Sequence, residues 1–428
     1  MNLRCYKPTL PLGCDRVYVR VDWNIPLGQN GLGIEDSLKL TRSYPLLESL
    51  RQVGAITFVL THLGRPKGRD PKFSTKPLAK IVANHSGMPI QYLNCDLGTA
   101  KGREKFARDI DRYEPGDTVL LENVRFQKGE DTCAPALVKA YAEHADVFIN
   151  DAFASSHRSH ASVTGLAKAL PSFAGPALCQ EVAALSVVVK DGKRYRPYFA
   201  VIGGAKLSTK LPVLKSLLAT ADKVFVGGAM AHAFQAAKGV EIGKSYIEKG
   251  SMAMARTFMN HRKLELPVDA VVDGHKGKHA RVAVIGHVGK TDHIMDIGPE
   301  TMRKWSAELK KARMIVWNGP LGMAELPSFA HGSLVIGRAI ASRSRGKAFG
   351  VAGGGDTLPI VARTGMQEYF DFVSTGGGAM MEFLAAKGKL PGLAPLQGTQ
   401  KLKLPELPKG DHRHEVGISC APEPHRKK

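Results

Sequence analysis

The sequence predicts an α/β protein of two domains, each built on a mostly parallel sheet covered on both faces. Three observations carry this reading. The chain has 428 residues, too many for one ordinary core. Short β-branched runs alternate along it with amphipathic stretches, which is the pattern of strand–helix–strand units. Near 177–197 a helical stretch, "LCQEVAALSVVV", gives way to the polar "KDGKRYRP", and a new strand then starts.

Strands are expected at 16–21, 56–61, 118–121 and 146–150, then at 198–202, 223–227, 269–272, 314–317, 348–352 and 371–374. Helices are expected at 37–50, 75–86, 134–144, 208–220, 299–311 and 328–343. No apolar run approaches the roughly 20 residues that cross a bilayer. The first residues, "MNLRCYKPTLPLGCDR", lack the apolar core and small-residue site of a signal peptide.

The six cysteines are scattered, with no C-x-x-C pair. We therefore expect neither a disulfide framework nor a zinc cluster, and a reducing cytoplasm fits best. The formal charge of +21 raises nucleic acid as a partner. The basic residues run through the whole chain, however, and are not interleaved with aromatics as in single-strand binders. A basic surface with a pocket for phosphorylated metabolites is the reading taken.

In sheets of this kind ligands sit beyond the carboxyl ends of the strands. In the first half those ends read "VRVDWNIP", "LTHLGRPKG", "LLENVRF" and "INDAFASSHRSH". They supply Asp22, Asn24, His62, Arg65, Arg125 and Arg158. The histidines of "HRSH" have metal-like spacing, but Arg158 stands between them and no third ligand completes a site. An anion pocket is the better reading, and a structural hydrogen bond stays open for His157.

In the second half the strand ends carry glycines: "VIGGAKLSTK", "FVGGAMA", "VWNGPLGMAE", "VAGGGDT" and "VSTGGGA". A strand, glycines and a helix start make a phosphate cradle, because the backbone can approach closely and the helix offers free N–H groups. Lys206 and Lys210 open such a helix, where cations oppose the dipole. A bound polyanion explains them, and a solvated helix face is the alternative. Asp356, after three glycines, suits either Mg²⁺ held together with phosphates or a helix N-cap. "VAVIGHVGKTD" imitates the end of a Walker A loop, but Val284 stands where that motif needs glycine.

Taken in order, these motifs resemble phosphoglycerate kinase, from about residue 10 to about 396. The resemblance implies two Rossmann-like three-layer domains joined by a hinge helix. Residues 1–180 would bind 3-phosphoglycerate or 1,3-bisphosphoglycerate. Residues 181–196 would form the hinge helix and linker, and 197–382 would bind Mg-ADP or Mg-ATP. Residues 383–396 would return to the first domain.

By the same resemblance Asp22, Asn24, Lys39, His62, Arg65, Arg125 and Arg158 match the acid-sugar site. Gly203, Gly204, Lys206, Lys210, Gly227, Gly228, Asn318, Glu325, Gly355, Asp356 and Thr357 match the nucleotide site. Glu325 is expected on the ribose and Asp356 at the metal. Gly376, Gly377 and Gly378 would open a helix facing the transferring phosphoryl group. Lys39, Lys206 and Lys210 join them as catalytic candidates. The implied protein is a cytoplasmic, monomeric, Mg²⁺-dependent kinase of small molecules.

One departure matters: Lys39 stands where the family carries an arginine, and Arg42 lies nearly a turn later. Lysine keeps the charge and loses the planar fork. Trp23, Ala154 and Ala229 are milder departures. The segment 397–428, rich in Pro, Lys and His, extends past the family's usual end and reads as a disordered basic tail. A low-activity homologue that mainly binds polyanions or a partner is the second reading, motivated by Lys39, the tail and the charge.

Overall fold

The computed structural model describes residues 2–7, 16–27, 34–192, 194–274 and 280–401. The chain forms two compact units, Met1–Ala183 with Gly388–Lys403, and Ala184–Lys387 with Leu404–Lys428. The division falls inside the helix Pro176–Asp191.

The first unit holds a six-stranded sheet in the spatial order Gln91–Leu93, Thr118–Leu121, Ile56–Leu60, Arg16–Arg20, Val147–Asn150 and Ser172–Ala174. Every pairing is parallel. The inner strands are apolar on both faces because helices cover both. Ile56–Leu60 and Val147–Asn150 are buried along their whole length. Val17, Val19, Val59 and Ile149 pack with Leu46, Leu47, Leu50, Leu78 and Val82 from two of those helices.

The second unit repeats the plan. Its sheet runs Leu264–Glu265, Lys223–Val226, Tyr198–Ile202, Met314–Asn318, Phe349–Gly353 and Phe372–Ser374, again all parallel. Val201, Ile315, Trp317 and Ala352 pack against Trp305, Leu309, Ile336 and Ile340.

Several expectations need correction. The strand expected at 269–272 does not join the parallel sheet. Asp269–Asp273 is the centre of a separate antiparallel sheet, between Ala280–Val284 and His293–Ile297. The single helix expected at 37–50 is two, Ile34–Thr41 and Tyr44–Gln52. Pro45 in the first turn of the second helix marks the break, since proline suits a helix start and not its interior. Of the tail expected from 397, residues 397–401 form a strand antiparallel to Asn2–Leu3, and 402–428 lie outside the described residues.

The expectation of no disulfide framework did not allow for a single bridge, and one forms. Cys5 is bonded to Cys179, with Cα atoms 6.5 Å apart. Spacing rules missed it because the partners are 174 residues apart in sequence. The argument from scattered cysteines to a reducing compartment falls with it. Cys95 and Cys133 are free, and Cys14 and Cys420 lie outside the described residues.

Three helix starts are capped by buried aspartates from distant strands. Asp151 accepts from the N–H of Leu178 at 3.1 Å. Asp269 accepts from Glu300 at 2.9 Å and Thr301 at 2.8 Å. Asp296 accepts from Gly332 at 2.7 Å. Each binds free helix N–H groups at the positive end of the dipole. The helix Pro176–Asp191 is also held through Glu181, 2 % exposed, which accepts from Arg42 at 2.7 Å.

Removing Arg42 would take a close cation from a buried carboxylate, so Arg42→Ala should lower stability by about 3 kcal/mol in urea unfolding, with Arg42→Ala/Glu181→Gln recovering part of the loss. Reduction of the denatured chain should expose two more reactive thiols than are found without reductant; no increase would remove the Cys5–Cys179 bridge.

Candidate active site

The carboxyl edge of the first sheet gathers cations. Asp22 and Asn24 follow the strand Arg16–Arg20. Asn24 accepts from the Gly64 N–H at 2.8 Å, tying its loop to the one that carries His62 and Arg65. Burial raises the Asp22 carboxyl above its usual range, opposed first by the charge of Lys39 and then by Arg20. Lys39 therefore faces this edge electrostatically. Arg42, the other candidate on that stretch, is held by Glu181.

Arg125 is placed through Asn123, whose side chain accepts from the Arg125 N–H at 3.0 Å and donates to the carbonyls of Leu63 and Phe73 at 2.8 Å each. The buried Nε of Arg125 has no hydrogen-bond partner. Arg158 donates from its own Nε to His157 Nε2 at 3.1 Å. His157 thus takes the structural role left open for it, orienting a cation. Arg65 is exposed.

His160 turns away from any metal role: its Nε2 lies 3.3 Å from Asp131 and its Nδ1 3.7 Å from Glu130. Among the described residues no group of three His, Cys, Asp or Glu side chains could hold a metal ion. Burial, then the charges of Arg20, Arg125, Arg158 and His160, hold the His62 imidazole well below its usual range. Excess positive charge at an edge with an unpartnered guanidinium nitrogen favours an anion.

Sequence reasoning missed Arg20 and Glu130. Arg20 is 1 % exposed and lies at the end of a strand read only as a β-branched run. Its Nη2 lies 3.1 Å from His62 Nδ1 and donates to Ser155 Oγ at 3.3 Å. Its Nε donates to Ser162 Oγ at 3.2 Å, and its Nη1 donates to the carbonyl of Val21. Glu130 accepts from Ser162 Oγ at 2.5 Å and from the Ser162 N–H at 3.0 Å. Burial pushes its carboxyl up to about 7. An arginine inside a buried strand was the signal available, since such residues are rarely buried without partners.

The carboxyl edge of the second sheet is a tight knot of glycine backbone. A Cβ on Gly203 would lie 2.0 Å from the Pro320 carbonyl oxygen. Gly204 has φ +116° and Gly354 φ +117°, which side-chain-bearing residues rarely adopt. Lys210 reaches across this knot, donating to the carbonyl of Gly203 at 2.5 Å and to Asn318 Oδ1 at 2.8 Å. Asn318 donates to the Gly353 carbonyl at 2.6 Å. Thr357, fully buried, accepts from the Gly319 N–H at 2.7 Å and donates to the Gly353 carbonyl at 3.0 Å.

Burial pushes the Lys210 amine down to about 8, against the pull of Asp356. Lys206 is exposed at the N-cap of Leu207–Thr220, and Glu248 accepts from the Ser208 N–H at 2.9 Å at the same helix start. Part of the cost of cations there is offset by that acid. The N-cap of the helix Leu358–Thr364 is Thr357, and Asp356 stands exposed beside it.

Beside the knot lies a largely apolar cavity of about 600 Å³, bordered by Gly204, Gly228, Leu321, Glu325 and Asp356. Gly227 packs on Leu321: a Cβ there would lie 2.7 Å from its side chain. Gly376 precedes the helix Gly377–Ala385. A Cβ on Gly377 would lie 3.5 Å from both Gly354 Cα and Gly355 N, so these two glycine loops adjoin. The Walker-like stretch is no phosphate loop: Lys290 lies in a turn between two strands, and no helix follows it before His293–Ile297.

Comparison with known proteins bears on this arrangement. The family model described as phosphoglycerate kinase matches residues 10–387. The phosphoglycerate kinase of Thermus thermophilus is 41% identical over 390 residues, covering 90% of this chain and 97% of its own. That of Dictyoglomus turgidum is 38% identical over 389 residues, covering 89% and 95%. Among solved structures, phosphoglycerate kinase from Coxiella burnetii is 34% identical with a TM-score of 0.74, covering 91% of this chain and 97% of its own. The one from Pyrococcus horikoshii is 31% identical with a TM-score of 0.77, covering 89% and 96%. The chain belongs to the phosphoglycerate kinase family.

Proposed function

We propose that this chain transfers a phosphoryl group reversibly between 1,3-bisphosphoglycerate with ADP and 3-phosphoglycerate with ATP, as a monomer. The observation that carries the reading is the pairing of two edges in one chain. One edge is a cluster of guanidinium and imidazole groups suited to a phosphorylated acid. The other is a glycine cradle with a buried lysine beside an apolar cavity suited to a nucleotide. The alternative of a mainly polyanion-binding homologue gains no support from the relatives, which are named as kinases.

In this reading Arg65, Arg125 and Arg158 clamp the carboxylate and phosphate of the acid in two-point geometry. Asp22, Asn24 and His62 orient its hydroxyl and carboxylate. The acceptor carboxylate is already ionised, so no general base is needed. Gly203, Gly204, Gly227 and Gly228 let the nucleotide approach the backbone, and Glu325 takes the ribose. Lys206 and Lys210 neutralise the phosphates. Asn318 and Thr357 hold the cradle's shape, and the N–H groups at Gly376–Gly378 face the moving phosphoryl group. Transfer in line requires donor and acceptor to meet with water excluded.

Asp356 is the residue that would hold Mg²⁺. A single exposed carboxylate fits an ion that arrives with nucleotide phosphates rather than one held by a protein cage. When bound, the ion would neutralise charge on the phosphate oxygens. Lys39 takes the place of the family arginine in this reading: its charge acts on Asp22 more strongly than that of Arg42, which is also paired with Glu181. Lysine supplies a point charge there without the fork.

Mg²⁺-dependent transfer from ATP to 3-phosphoglycerate, coupled to NADH oxidation, should show turnover in the wild type. Lys39→Arg should match or exceed it. Arg65→Ala and Lys210→Met should each lose about 100-fold or more in kcat/KM, while Lys290→Ala changes nothing. A folded protein with no turnover in either wild type or Lys39→Arg would end this reading.

A second prediction follows from Lys210. Its amine sits at about 8 in the free protein, so just above that pH it is partly neutral. Bound phosphates favour the charged form and raise the value. ADP binding near pH 8 should therefore take up protons, read by calorimetry in buffers of different ionisation enthalpy, and Lys210→Met should abolish the uptake.

A further inference from the structure

Among the described residues, Arg20 is the one buried cation of the first unit that touches several of the loops read as binding the acid and has no role in the reading above. It lies at the end of the strand Arg16–Arg20, one residue before the turn that leads to Asp22. Its guanidinium reaches His62 at the end of the next strand, at 3.1 Å, and Ser155 and Ser162 in the segment that contains Arg158, at 3.3 and 3.2 Å. Ser162 in turn donates to Glu130, which follows the Arg125 loop. One fork thus joins the loops of Asp22, His62 and Arg158, and through Ser162 and Glu130 it reaches the loop of Arg125.

The contact with His62 has a chemical consequence. A guanidinium is a donor only, so His62 Nδ1 must accept from Arg20. A neutral imidazole then carries its proton on Nε2. The charged and titratable groups that act most strongly on His62 are Arg20, Arg125, Arg158 and His160, and all of them oppose a second proton. The acids of the same network, Glu130 and Asp131, pair with His160.

We propose that Arg20 is a positioning residue for the acid substrate: it fixes His62 as the neutral Nε2–H tautomer, a hydrogen-bond donor, and sets the spacing of the loops that carry the cationic clamp. This rests on the first unit's cationic edge being the acid-sugar site. His62 then donates to the ligand as a fixed neutral dipole, and binding carries no histidine titration from it.

The test is two-bond ¹H–¹⁵N correlation of the imidazoles in the full chain, with His62→Gln identifying the signal. The wild type should show His62 with an acceptor Nδ1 and a protonated Nε2, unchanged between about pH 5 and 8. An Nδ1–H tautomer, or titration near the ordinary 6.5, would overturn the proposal without any variant. Arg20→Lys keeps charge and loses the fork. It should mix the two tautomers and raise KM for 3-phosphoglycerate about tenfold or more, leaving KM for ATP unchanged. A role in folding alone would lower active enzyme and move neither the tautomer nor one KM selectively. A folded Arg20→Lys with the wild-type spectrum and KM also overturns it. If the protein neither turns over nor shows any imidazole shift with 3-phosphoglycerate, the functional reading fails, and the wild-type tautomer still decides whether Arg20 fixes His62.

Discussion

Parallel strands buried on both faces leave a chain few places to put chemistry. Hydrogen bonds run along both sides of each inner strand and helices cover the faces. Only the loops leaving the carboxyl ends are free to carry polar groups that face a ligand. This chain meets that constraint twice, with opposite materials. The first sheet ends in long cationic side chains. The second ends in glycines that leave the backbone bare. A phosphorylated acid needs charge delivered at several angles, which arginines do well. A nucleotide's phosphates need a surface close enough for N–H groups to reach, which only a stripped backbone provides.

Burying polar groups near such edges demands partners, and the structure finds them at long range. Asp151, Asp269 and Asp296 reach from strand ends to cap helices that start elsewhere. Asp151 and Asp296 are 6 % and 2 % exposed, and that burial pushes their carboxyls up to about 7. These carboxyls fix where a helix begins relative to the sheet, and so fix the loops between. Arg20 does the same for the cationic edge from below.

Much of this was legible in the sequence because its signals are local. Ile56–Leu60, Tyr198–Ile202 and Met314–Asn318 announce themselves as β-branched or aromatic runs, and the cationic or glycine loops follow them directly. Edge strands of two or three residues, such as Gln91–Leu93 and Leu264–Glu265, are too short to show a period. The antiparallel sheet around Asp269–Asp273 was misread because pairing direction is a property of neighbours, not of a strand's own residues. Cys5 with Cys179, and Arg20 with His62 and Ser162, escaped for the same reason. Each is a contact between residues distant in sequence, and no motif links the partners to each other. Asp151 shows the reverse error: it sits in "DAFASSHRSH", the stretch read as a pocket, yet it serves a helix start.

The first unit is not a continuous piece of chain. Its residues up to Ala183 are joined by Gly388–Lys403, with the Gly392 N–H donating to the Ser156 carbonyl and Asn2–Leu3 pairing with Gln397–Lys401. On the ribosome, the span Ala184–Lys387 of the second unit is synthesised before the residues that complete the first. The strand Asn2–Leu3 must therefore wait, without its partner strand, until the main span of the other unit has been made. Order of synthesis and order of completion run in opposite directions here, and the nascent first unit is the one left with an open seam.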